Sequence, residues 1–112
     1  MSKNGAGADG NFRITKGNGK KISNPIVNSK RVGSARKSDP HHSFNDIVDN
    51  YAGNAKSFIL KGGDGKTRTL YQVQGSLNGK KGIFEWIYDS TKGVTHRRFI
   101  PNGRITGRPN SR

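Results

Sequence analysis

Through the second half of the chain, apolar side chains recur at every second position, the signature of half-buried strands. Over residues 82–89 this places Ile83, Glu85 and Ile87 on one face and Phe84, Trp86 and Tyr88 on the other. Over residues 94–101, Val94, His96, Arg98 and Ile100 share a face, with Thr95, Arg97 and Phe99 opposite. A turn at Ser90-Thr91-Lys92-Gly93 pairs Asp89 with Val94, which sets Glu85 across from Arg98 and Ile87 across from His96. The aromatic face is then the expected core, and Glu85, His96 and Arg98 gather on the other. A slip of one residue would exchange every partner.

Alternation also predicts strands at residues 57–60 and 68–77, separated by a Gly-rich turn at 61–65, with Asn78-Gly79 as the next hairpin turn. A further short strand is expected near residues 104–106, after Asn102-Gly103. Upstream the period changes. Phe44, Ile47, Val48 and Tyr51 follow helical spacing, with Ser43 as N-cap, Asp46 in the first turn and Gly53 as the stop. The expected fold class is therefore α+β, an N-terminal helix packed on a twisted antiparallel sheet of four or five strands.

Residues 1–38 break this order. They carry nine Lys/Arg against one acidic residue, with apolar positions scattered at Phe12, Ile14, Ile22, Ile26 and Val27, and read as a basic leader or linker with short strand contacts at most. Residues 39–112 form the expected domain. The Gly/Asn-rich beginning suggests a piece of a longer exported chain, without an apolar signal core of its own.

Composition narrows the partners. A formal charge of +14 with 29% hydrophobic residues describes one small domain with a polyanion as its natural ligand. The chain has no cysteine, which excludes disulfides, thiol catalysis and cysteine-based zinc sites. No apolar run approaches the length of a membrane span. No metal-binding spacing is recognisable around the histidines, and no cofactor is expected.

Metal-free RNA cleavage needs a base for the ribose 2′-hydroxyl, an acid for the leaving 5′-oxygen and cations for the phosphorane. Glu85 and His96 can divide the proton transfers, with Arg98, Arg97 and Arg104 on the phosphate. The competing interpretation is an ordinary Glu85–Arg98 cross-strand pair beside a surface histidine. His41 and His42 form a second cluster on the loop entering the helix, where backbone N–H groups attract anions. There His42 can replace Glu85 as acid or base, and His41 can contact substrate. Arg68, with Gln72 or Gln74, falls on the polar side of a central strand and can line a groove. Asp46 and Asp49 are explained by capping and solvent exposure, and Trp86 by the core.

Three segments carry a family resemblance: His41-His-Ser-Phe-Asn-Asp-Ile-Val-Asp-Asn-Tyr-Ala-Gly53, Leu70-Tyr-Gln-Val-Gln-Gly-Ser-Leu-Asn-Gly79, and Gly93-Val-Thr-His-Arg-Arg-Phe-Ile-Pro-Asn-Gly-Arg-Ile-Thr-Gly-Arg-Pro-Asn110. They resemble the C-terminal nuclease domains of bacterial polymorphic toxins, LXG-type toxins above all, with similar tips on contact-dependent inhibition proteins. The resemblance spans roughly residues 22–112, and residues 95–101 are its most specific part. It implies a barnase- or RelE-like nuclease fold. It also implies a secreted toxin tip that acts in the target-cell cytoplasm and is silenced at home by a cognate immunity protein, expected to be acidic. The free toxin domain is expected to be monomeric. RNA is the favoured substrate. The alternatives are a metal-assisted nonspecific DNase and a noncatalytic basic module that binds nucleic acid.

Overall fold

The computed structural model of the chain describes residues 12–17 and 21–110. Five strands form one antiparallel sheet: β1 (Phe12–Lys16), β2 (Lys56–Lys61), β3 (Thr67–Leu77), β4 (Lys80–Asp89) and β5 (Gly93–Pro101). The order is β1-β3-β4-β5, and the long β3 also pairs β2. One edge of β3 thus serves two partners in line, β2 along its first half and β1 along its second. Gly75 permits the approach of β1, since a Cβ there would strike the Arg13 carbonyl. Asn78 and Gly79, both at positive φ (53° and 82°), make the tight β3–β4 turn.

The β4–β5 register places Glu85 opposite Arg98 and Ile87 opposite His96, as the alternation predicts. The turn differs from the expected one. A bulge between Ile87 and Tyr88 pairs Asp89 with Gly93 and Tyr88 with Val94. The extra residue carries Val94 onto the aromatic face, where it joins the core. Asp89 accepts from the Thr91 and Lys92 amides and the Thr91 hydroxyl, which fixes the turn.

The expected N-terminal α-helix does not form. Helical segments among the described residues are 3-10: Pro25–Asn28, Gly33–Arg36 and Asp46–Asn54. The last lies where the α-helix was predicted, but its bonds close over three residues, as in Val48 N–H to Asn45 C=O (3.0 Å). Its cap is Asn45, whose side chain accepts from the Ile47 amide at 2.9 Å, and not Ser43. Asp46, Asp49, Asn50 and Gly53 are all poor helix formers. The tighter winding turns Asp49 inward and leaves Ile47 53% exposed, outside the expected apolar stripe. The fold remains α+β in class, a five-stranded antiparallel sheet with short helical turns. No helix among the described residues is long and apolar enough to cross a membrane.

Both faces of the sheet are covered. On the first, Tyr71, Val73, Phe84, Trp86 and Phe99 pack against Phe44, Val48 and Ala52 and against Ile26 and Ala35. The Phe44–Phe84 and Phe84–Phe99 ring centroids lie 5.0 and 4.9 Å apart. Burial of each such large side chain contributes about 1.5–3 kcal/mol. Within the 1–38 stretch, β1 joins the sheet while Ile26 and Ala35 enter the core. The remainder of the expected leader, residues 1–11 and 18–20, lies outside the described residues.

The second face buries Leu70, Ile83 and Ile87 together with Gln72, Glu85 and His96. Its cover is residues 102–110, an extended strap with no ladder of its own in place of the strand expected near residues 104–106. The strap is pinned by side chains: the Thr106 and Gly107 amides both donate to Gln72 Oε1 at 3.0 Å.

Candidate active site

Two polar constellations sit on opposite faces of the sheet. Glu85, His96 and Arg98 share the second face, where β4 and β5 hold Glu85 Oε2 2.6 Å from His96 Nε2. The carboxylate also accepts from Gln72 Nε2 (2.8 Å) and from the Asn110 amide and side chain (2.8 and 3.0 Å). Burial alone would raise its pKa. The bonds from His96, Asn110 and Gln72 outweigh burial and hold Glu85 below its ordinary value. Glu85 and His96 are completely buried, and His96 Nδ1 has no hydrogen-bond partner among the described residues. A carboxylate so saturated with donors is a fastener for the strap and a weak proton acceptor.

Arg97 does not join this group. It lies on the first face, wholly buried, with its guanidinium 3.7 Å above the Phe44 ring. Its Nε donates to Asp49 Oδ1 (2.9 Å), and its terminal nitrogens donate to the His42 carbonyl (2.7 Å) and to those of Phe44 and Asn45. Burial pushes Arg97 below its ordinary pKa while Asp49 counters. Asp49, expected as an exposed helix residue, is instead buried and also accepts from Trp86 Nε1 (2.9 Å) and Arg31 (2.8 Å). With its donors spent inside, Arg97 fixes the 42–45 loop and has no face turned to a phosphate.

That loop carries the second constellation. His42 is 95% buried, and Asp39, three residues earlier, bonds its Nδ1 at 2.8 Å. This bond from His42 is the main cause holding the Asp39 carboxyl below its ordinary pKa. With a carboxylate on Nδ1, that nitrogen carries the ring N–H, and Nε2, buried and without a partner among the described residues, is the nitrogen left to accept. His42 lines a cleft of about 720 Å³ together with Arg31, Arg36, Lys37, Ser38 and Ser43. Arg31 is committed to Asp46 and Asp49, whereas Arg36 and Lys37 are exposed.

The other predicted residues are dispersed. His41 packs edge-on against Phe99, with centroids 6.0 Å apart, and its carbonyl accepts from the Phe99 amide. Arg104, exposed on the strap, borders a shallow cavity with Lys81 and Gln74. Arg68 is held between Asp64 (2.9 Å) and Asp89 (3.0 Å). Sequence reasoning passed over Asp39, although Asp-Pro-His-His is a turn sequence that returns an Asp side chain to residues two and three ahead. Asn110 carried no such signal. No group of three or more acidic or histidine side chains suited to a metal occurs among the described residues. No family model, curated protein or solved structure matches the chain.

Proposed function

We propose that the chain is a nuclease that cleaves RNA from the His42 cleft. The observation that carries this reading is the Asp39–His42 pair: an imidazole oriented through Nδ1, in the wall of a cleft with Arg36 and Lys37, whose buried Nε2 has no partner among the described residues. With the cleft wall opened enough to admit the 2′-hydroxyl to Nε2, His42 takes its proton as that oxygen bonds to phosphorus; the bond to the 5′-oxygen breaks, that oxygen takes a proton from water, and a 2′,3′-cyclic phosphate is left. Asp39 holds the required tautomer, while Arg36 and Lys37 offset the charge gathering on the phosphorane. The net charge of +14 supplies sequence-independent attraction for the polyanion. Resemblance to polymorphic-toxin tips gives the setting: a secreted toxin domain acting in the cytoplasm of competing cells, with a cognate acidic immunity protein that blocks the cleft. The expected barnase- or RelE-like type belongs to this proposal; the antiparallel sheet agrees with it, and the absence of the α-helix departs from it.

A second arrangement keeps Glu85, His96 and Arg98 as the catalytic set. It is favoured by the open Nδ1 of His96 and requires the strap to leave the second face. Incubation of the purified protein with labelled RNA, 2′-deoxy-substituted RNA and DNA, with and without chelator, tests the function. Cleavage confined to strands with a 2′-hydroxyl and indifferent to chelator is expected. Chelator-sensitive DNA cleavage would give the metal-assisted DNase instead, and binding without cleavage would leave the noncatalytic module.

A further inference from the structure

A cavity of about 570 Å³ opens on the second sheet face, with a lining distinct from that of the His42 cleft. Leu60, Ile87 and Pro109 supply its apolar lining, beside Lys61, Lys92, Arg68 and Thr95. The two lysines come from different turns, and Arg68 ties those turns together. Asp64, in the turn after Lys61, takes Arg68 Nη2, while Asp89, at the start of the turn bearing Lys92, takes Arg68 Nε. The hydrogen bond to Arg68 is the main cause lowering the Asp64 carboxyl to about 2, so the tie is ionic at neutral pH. Asp89 further accepts from the Lys92 amide at 3.1 Å, and Gly62 N–H closes the first turn on Lys66 C=O at 2.8 Å. Arg68 and both nearby carboxylates are thereby consumed in construction. Among the described residues no carboxylate lines the cavity, and Lys61 and Lys92 are exposed beside it.

Apolar lining beside two exposed ammonium groups suits a flat heteroaromatic base joined to a phosphate. One hydrogen bond links the walls of the cavity and the cleft. Thr95 lines the cavity, and the Thr95 carbonyl accepts from Ser34 Oγ at 3.2 Å, two residues before Arg36 in the cleft wall. A strand leaving the cleft therefore reaches the cavity around the start of β5.

We propose that this cavity is a nucleotide subsite for the RNA strand, with a phosphate between Lys61 and Lys92 and the base on Leu60, Ile87 and Pro109; this rests on the nuclease reading above. The probe is a single-stranded oligonucleotide, 2′-O-methylated against cleavage, titrated over a salt series. In the double variant Lys61→Ala/Lys92→Ala the slope of log affinity against log salt should flatten by about 0.7 for the single phosphate lost. Lys21→Ala/Lys80→Ala, with the same change in net charge and neither residue in the lining of the cavity or the cleft, should flatten it less. A dinucleotide, too short to span both sites, should be cut by the cavity variant at the wild-type rate. Equal flattening in the two double variants, or none in the first, overturns the subsite. If the wild type cuts no RNA at all, the nuclease reading falls while the binding comparison still decides the cavity.

Discussion

Replacing Glu85 with glutamine removes one charge and converts one acceptor oxygen into a donor, at a site where four donors converge. Gln72 Nε2 and Asn110 Nδ2 meet Oε1, and His96 Nε2 and the Asn110 amide meet Oε2. The amide retains its oxygen for one pair and presents NH₂ to the other. On the Oε2 side His96 can answer by changing tautomer, but the Asn110 amide is fixed as a donor and loses its acceptor. A hydrogen bond to a charged group contributes about 1.5–3 kcal/mol, and a donor left unsatisfied costs a similar amount. The expected loss is about 2–4 kcal/mol, a fall in melting temperature of roughly 10–20 °C for a domain of this size. The pH dependence follows from the same carboxylate. Its folded pKa is depressed, so its stabilisation is complete above the unfolded value of about 4.3 and is lost as pH falls through the folded value. Thermal denaturation by circular dichroism between pH 7 and pH 3 tests both parts. The wild type should lose stability on acidification more steeply than Glu85→Gln, so that the curves converge at low pH. A variant melting within about 2 °C of wild type at pH 7, with a parallel pH profile, would refute the strap-fastening role of Glu85.

Arg97→Ala should destabilise the fold by about 3–5 kcal/mol, because Asp49 is left buried with only part of its pairing, and urea denaturation measures it. A stable Arg97→Ala protein with weakened nucleic-acid binding would return Arg97 to the phosphate. Asp39→Asn should keep the fold and lower RNA cleavage by about 10²-fold or more, since the amide no longer enforces the Nδ1–H tautomer; single-turnover rates would detect it. Deleting residues 1–38 should abolish cooperative unfolding, because β1, Ile26 and Ala35 leave with the segment. A sharp melting transition in the truncated protein would make that segment dispensable.

The strands and the pairing of Glu85 with Arg98 and of Ile87 with His96 were legible because period-two alternation needs only neighbouring residues and one turn. The bulge at Ile87 and Tyr88 was not, since it depends on how Asp89 gathers the amides of the following turn. Ser43 and the spacing of Phe44, Ile47, Val48 and Tyr51 located a helical segment but not its winding, which Asn45 and the inward pull on Asp49 decide. Arg97 was placed on the correct face by alternation, yet its burial rests on carbonyls of residues 42, 44 and 45, which no local pattern links to it. The strap at 102–110 has no periodicity. Its contacts with Gln72 and Glu85 join residues far apart in sequence, so the enclosure of Glu85 and His96 could not be foreseen.

The most direct measurement compares single-turnover RNA cleavage by His42→Ala and His96→Ala, each first shown to be folded at the assay temperature. His42→Ala should lose about 10²- to 10⁴-fold in rate. His96→Ala should cleave near the wild-type rate despite lower stability. A folded His42→Ala protein of full activity beside an inactive, folded His96→Ala protein would contradict the assignment and move the active site beneath the strap.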